Sequence, residues 1–166
     1  RCRECKKEYD STFKYICDEC FGPLDVHYNF PSITKDIFTS REQTYWRYFE
    51  LLPIVDKSNI VSINAGMTPL VKAEKLGKNI GLNNLYIKND SVNPTFSFKD
   101  RPAGVAISKA KEFGLRSVGC ASTGNLASAT AAHAAKGNFP CYIFAPSDIE
   151  NAKIAQALSY GANYIS

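Results

Sequence analysis

Residues 117–166 read SVGCASTGNLASATAAHAAKGNFPCYIFAPSDIENAKIAQALSYGANYIS, and the alternation inside this stretch decides the fold. Residues 117–121 have strand character. Residues 126–136 are an Ala-rich helical stretch closed by Gly137. Strand character returns at 140–145, and Ser147-x-x-Glu150 has the spacing of a capping box, opening a helix that runs to Tyr160 and stops at Gly161. Residues 162–166 then enter another strand. One step upstream, residues 101–113 read as a helix. Pro102 lies in its first turn, where a missing N–H costs nothing, Ala106, Ala110 and Phe113 share one stripe, and Gly114 follows the end. Strands and helices alternating through short Gly-marked turns predict an α/β fold, a doubly wound parallel sheet joined by right-handed crossovers.

Working outward toward the N-terminus, residues 1–30 hold four of the six cysteines as Cys2-x-x-Cys5 and Cys17-x-x-Cys20. Two such knuckles can bring four thiolates to the corners of a tetrahedron, the geometry of a structural zinc site with no open coordination position. A reducing compartment favours metal over disulfide, the alternative being four unliganded thiols in a ribbon-like segment. Residues 31–58 read as a helical linker docking on the core: Tyr45-Trp46-Arg47-Tyr48-Phe49, with Leu51 and Leu52, gives an apolar face at helical spacing that Pro53 ends. Residues 59–166 make up the main domain. Cys120 and Cys141 fall inside strands, where cysteine is a small buried hydrophobe, and His27 and His133 have no partner at metal-ligand spacing, so none of the four is given a role.

Composition narrows the function classes. Apolar residues make up 45% and charged residues 22% of the 166, the balance of a globular chain with a real core. No apolar run approaches the roughly 18 residues that span a bilayer, and the first ten residues are too charged for a signal peptide. A cytoplasmic location with no membrane partner is expected. The net charge is only +4 and both signs are interspersed, so nucleic-acid binding is not expected either.

Two segments carry the chemistry. The turn Ser122-Thr123-Gly124-Asn125 lies between a strand and a helix N-terminus, where free backbone N–H groups attract an anion; simple capping is the plainer alternative. Asn93-Pro94-Thr95-Phe96-Ser97-Phe98-Lys99-Asp100-Arg101 precedes a helix and sets an amine beside two aromatics. Partial desolvation there favours the neutral amine that imine formation requires.

With Gly66-Met67-Thr68-Pro69-Leu70, these two segments resemble, in order and separation, the fold-type II pyridoxal-phosphate enzymes, most nearly the threonine synthases. The likeness covers about residues 45–166. The resemblance implies that Lys99 holds pyridoxal 5'-phosphate in Schiff-base linkage, that Asn125 binds the cofactor's phenolic oxygen, and that Ser122, Thr123 and Gly124 grip the substrate carboxylate. Asp100 and Arg101 then fix the loop and the helix start. The implied reaction converts O-phosphohomoserine and water to threonine and phosphate; cysteate synthesis, threonine dehydration, cysteine synthesis and a noncatalytic ribbon module stay open as alternatives. A homodimer is the expected assembly of the full-length protein. Many members have Gly where this chain has Phe96, so the loop must accept a bulky residue there. The chain reads as a fragment, with the cofactor-phosphate loop and the partner of the pyridine nitrogen expected beyond residue 166, and it is expected to be inactive alone.

Overall fold

A computed structural model describes residues 1–30 and 32–166. The expected alternation is present. Helix α3 (Asp100–Glu112) leads to β3 (Val118–Ala121), α4 (Asn125–Lys136), β4 (Cys141–Phe144), α5 (Asn151–Ser159) and β5 (Asn163–Ile165). The three strands form one parallel sheet in the order β3-β4-β5, with Val118 opposite Cys141 and Ile143 opposite Tyr164. Upstream lie α1 (Lys35–Thr39) and a second, antiparallel pair, β1 (Leu70–Lys72) with β2 (Tyr86–Lys88), joined by α2 (Glu74–Ile80).

The core follows from side-chain size. Residues 127–134 of α4 are all buried, which the small side chains permit: α4 is the central helix, packed on α3, α5 and the sheet at once. Ala127, Ala131 and Ala134 join Val61, Ile107, Cys141, Ile143 and Ala157 in one cluster. Period-two burial along β4 sends Cys141 and Ile143 into that cluster and leaves Tyr142 and Phe144 exposed on the other face. Cys141 is a buried hydrophobe of this cluster and Cys120 packs against it half-buried; burial pushes the Cys141 thiol up to about 11.

Helix ends differ in detail from the sequence reading. The Ser147–Glu150 capping box does not form: residues 146–149 make a turn closed by Ile149 N–H on Pro146 C=O, and Glu150 itself is the N-cap of α5. Pro146 starts that turn, so the chain becomes helical one turn late. Gly114 and Gly161 adopt positive φ (66° and 82°) just past α3 and α5, whereas the left-handed residue after α4 is Asn138 (φ 58°) and not Gly137.

The linker is less helical than its spacing predicts. Tyr45–Leu51 is a 3-10 helix kinked at Tyr48, and the five residues before it are not helical. Arg47 draws the chain back by donating to Phe38 C=O and Gln43 Oε1, while Arg41 makes a two-pronged pair with Glu50 (2.6 and 2.7 Å). Side-chain tertiary bonds thus replace the backbone ladder. Tyr45 and Trp46 bury with Ile54 and Ala65, against Val105 of α3. Glu112, at the end of α3, accepts from the N–H groups of Val55 (2.8 Å) and Asp56 (3.0 Å). Residue 31, the first of the linker, lies outside the described residues.

Candidate active site and metal centre

Lys99 stands where the 95–99 loop becomes α3. Fully buried Asp100 shapes that loop by accepting from the Thr95 N–H (2.8 Å) and hydroxyl (2.9 Å), and Ser97 Oγ accepts from the Lys99 N–H (3.1 Å). Thr95 and Ser97 therefore point inward and Phe96 and Phe98 outward. The Lys99 side chain is half-buried, with Nζ 5.1 Å from the centre of the Phe98 ring. The ring lies against one side of the amine.

The second segment opens on the same edge of the molecule. Gly104 of α3 faces His133 of α4, and Ile107, one turn on, faces Gly137. The pairing advances in the same sense along both helices, so α3 and α4 run in one direction and start at the same end. The turn 122–125 leads out of the carboxyl end of β3 into α4, where ligands bind in open α/β sheets. Ser122 N–H donates to Phe144 C=O (3.2 Å), and Gly124 N–H to Ser122 Oγ (3.3 Å). Among the described residues no side chain caps α4, so the N–H groups of its first turn stay available at the positive end of the helix dipole. Thr123 and Asn125 are exposed, and nothing lies within 4 Å of where a Cβ on Gly124 would stand. Uncapped donors fit a carboxylate, and a half-buried amine fits the aldehyde of pyridoxal phosphate.

The 66–70 segment is stitched to the lysine segment and to the turn before it. Asn93 Oδ1 accepts from Gly66 N–H (2.9 Å); Arg101 donates to Gly66 C=O (2.7 Å) and grips both oxygens of Asp90 (2.6 and 2.9 Å); Thr68 Oγ1 donates to Asp90 (2.7 Å). The Arg101 guanidinium holds the Asp90 carboxyl down at about 2. Sequence reasoning does not find Asp90, because no local signal marks a carboxylate whose partner lies in the next segment.

At the other end, the sulfurs of Cys2, Cys5, Cys17 and Cys20 all lie within 4.8 Å of one another, with Cys2–Cys20 at 3.5 Å and Cys5–Cys17 at 3.6 Å. The knuckles are built alike: the residue after each second cysteine, Lys6 and Phe21, is left-handed (φ 65° and 56°). A Cβ on Gly22 would fall 3.1 Å from the Cys2 sulfur and 3.2 Å from that of Cys20, so Gly22 leaves the space the sulfurs occupy. Tyr9 Oη lies 3.0 Å from the Cys17 sulfur and accepts from Asp18 N–H (3.0 Å). That hydroxyl, against the effect of burial, brings the Cys17 thiol down to about 6. Four converging sulfurs, one supported as thiolate, fit a zinc ion. Neither Tyr9 nor Gly22 is singled out by the sequence reading, although a glycine two residues after a knuckle is a usable signal. His27 is exposed and is not one of the clustered ligands; His133 is fully buried.

A parallel sheet with an amine at a helix start has the fold class of the pyridoxal-phosphate-dependent enzymes of fold type II. The sequence model of the family described as "Pyridoxal-phosphate dependent enzyme" matches residues 61–166, and the chain belongs to that family. Among curated relatives it is similar to the threonine synthase of Methanocaldococcus jannaschii, 42% identical over 171 residues and 99% of this chain, and to that of Methanosarcina acetivorans, 40% identical over 170 residues and 100% of this chain. The chain spans 42% of the length of each. Among solved structures, the processed form of threonine deaminase isoform 2 from Solanum lycopersicum superposes with a TM-score of 0.56 at 32% identity, over 61% of this chain and 28% of that one. A pyridoxal 5'-phosphate-dependent aspartate racemase gives 0.59 at 26% identity, over 65% and 34%.

Proposed function

We propose that the polypeptide carrying these residues converts O-phosphohomoserine and water to threonine and phosphate. The observation that carries the chemistry is the common starting end of α3 and α4, which sets Lys99 and the 122–125 turn on one edge. The particular reaction is supported by the two archaeal relatives named threonine synthase, which align with essentially the whole chain.

In this reading Lys99 holds the cofactor and, once released, moves protons at the substrate's α and β carbons. Ser122, Thr123, Gly124 and the first-turn N–H groups of α4 grip the substrate carboxylate, and Asn125 reaches the cofactor's phenolic oxygen. Pyridoxal phosphate, when bound, supplies the electron sink. Residues 1–30 form a zinc ribbon held by Cys2, Cys5, Cys17 and Cys20, residues 31–58 a docking linker, and residues 59–166 the first part of the catalytic domain. Among the described residues no helix is long and apolar enough to cross a membrane. A cytoplasmic homodimer belongs to the same reading.

Borohydride reduction of the full-length protein tests the site: a trapped adduct should map to Lys99, and Lys99→Ala should lose both the adduct and the visible absorbance. Phosphate release from O-phosphohomoserine tests the substrate. If threonine, phosphoserine or sulfite is turned over instead, the reaction is another of the fold-type II set; if no cofactor binds, the catalytic reading fails.

A further inference from the structure

Tyr45 enters the core through a slot made by two glycines. A Cβ on Gly66 (φ 100°) would stand 2.8 Å from the Tyr45 Cβ, and a Cβ on Gly104 would stand 2.3 Å from its hydroxyl oxygen. Real Cβ atoms do not approach that closely, so only glycine at both positions admits the ring. The same point above Gly104 is 3.0 Å from His133 Nε2, so the hydroxyl and the imidazole nitrogen look into one small space and are no farther apart than those two distances together.

Both groups are deeply buried, and neither has a hydrogen-bond partner among the described residues. Leaving two such groups unpaired costs about 1–3 kcal/mol each, which folded proteins avoid. Their polarities match. His133 Nδ1 lies 2.9 Å from Ala129 C=O; a carbonyl only accepts, so Nδ1 carries the proton and, in the neutral ring, Nε2 is left as an acceptor. Tyr45 offers an O–H. Burial holds the phenol in its protonated form and favours neutral His133.

On its other side His133 Nδ1 lies 3.8 Å from Asp100 Oδ1. Asp100 is the carboxylate that closes the 95–99 loop through Thr95. We infer that Tyr45 and His133 are positioning residues: the Tyr45 hydroxyl donates to His133 Nε2 through one internal water above Gly104, and the pair backs the Asp100 clamp that presents Lys99. The linker thereby reaches the rear of the lysine loop. This rests on the proposed role of Lys99.

The test uses the full-length protein with its cofactor bound. Tyr45→Phe removes only the donor. His133→Asn keeps a donor for Ala129 C=O and removes the far acceptor, whereas His133→Gln places an amide oxygen near the Nε2 position. Tyr45→Phe and His133→Asn are expected to lower kcat by about tenfold with little change in KM. They should also move the pH at which the absorbance of the lysine-bound cofactor titrates, by on the order of half a pH unit. His133→Gln should recover most of both. In denaturant unfolding, the Tyr45→Phe/His133→Asn double variant should lose no more stability than the worse single. Additive unfolding losses overturn the hydrogen-bonded tie and leave the proposed function standing. Coupled losses with kcat and titration unchanged reduce the pair to packing and overturn the positioning role. A wild-type protein without cofactor absorbance removes the proposed function, and the positioning role with it.

Discussion

Phe96 adopts φ 63° with its ring 72% exposed, directly before the inward-pointing Ser97. A left-handed conformation costs an L-residue roughly 1–2 kcal/mol, while glycine there carries an added entropic cost of about 0.5–1 kcal/mol. The strain is the larger of the two, and the turn bond from Phe96 N–H to Asn93 C=O (2.8 Å) needs no side chain. Phe96→Gly should therefore raise the unfolding free energy by up to about 1 kcal/mol; a loss in denaturant unfolding would mean that the ring is held by contacts worth more than the strain. The sequence reading expects this loop to take a conformation open to a bulky residue; instead the ring is accommodated by pointing into solvent while the backbone keeps a left-handed, glycine-type conformation. The convergence of the four cysteines and the place of Lys99 at a helix start were legible, because each sits in a short motif whose members are sequence neighbours. Tyr45 and His133 were not. Their connection passes across Gly104, and a glycine in a helix shows nothing in sequence of what lies against its missing Cβ.

At the level of elements, the helices and strands from residue 100 onward could be read because period and punctuation agree there. Residues 40–52 could not, since Arg41 and Arg47 impose a 3-10 path through side-chain bonds to Glu50 and the Phe38 carbonyl, each across a spacing of 9 residues that no helical period marks. Helix α2 was also illegible: Lys and Asn interrupt its stripe, and it is held by the close approach of Gly77 to Leu82 C=O and by left-handed Gly81. The Asp90–Arg101 pair joins the 3-10 turn at residues 90–92 to α3, and it predicts an acid dependence. The Asp90 carboxyl is depressed in the fold, chiefly by Arg101 and then by Thr68. A depressed carboxyl stabilises the fold above its unfolded pKa, and that contribution disappears as pH falls from about 4 to about 2. With both side chains partly in water, it is worth on the order of 1–2 kcal/mol after allowance for screening. Asp90→Asn should cost that much at pH 7 and about nothing at pH 2, measured by unfolding in urea; an equal loss at both pH values would show that the ion pair is not the source.

Across the whole molecule, two bodies of different character meet. The main domain has a cluster of mostly aliphatic side chains at its centre, whereas the first 30 residues bury chiefly Cys2 and Cys17 and leave Phe13, Tyr15, Phe21, Val26 and Phe30 exposed. Phe13 meets Phe113 edge-on at 5.9 Å, a contact of about 1 kcal/mol that docks the ribbon without folding it. Burial of that kind does not hold a segment this short. Against the Lys7 N–H, the neighbouring sulfurs push the Cys5 thiol up to about 12, so only a cation among them lets all four ionise and bind as one set. The ribbon's order should therefore depend on metal. The purified protein should contain about one equivalent of zinc, and strong chelation at pH 7, or Cys17→Ser, should abolish amide-exchange protection within residues 1–25. Protection within α3, α4 and β4 should be unchanged, because their core takes nothing from the sulfurs. A ribbon that keeps its slow-exchanging amides after complete metal removal would show that the apolar contacts suffice, and the four cysteines would then have no structural task in common.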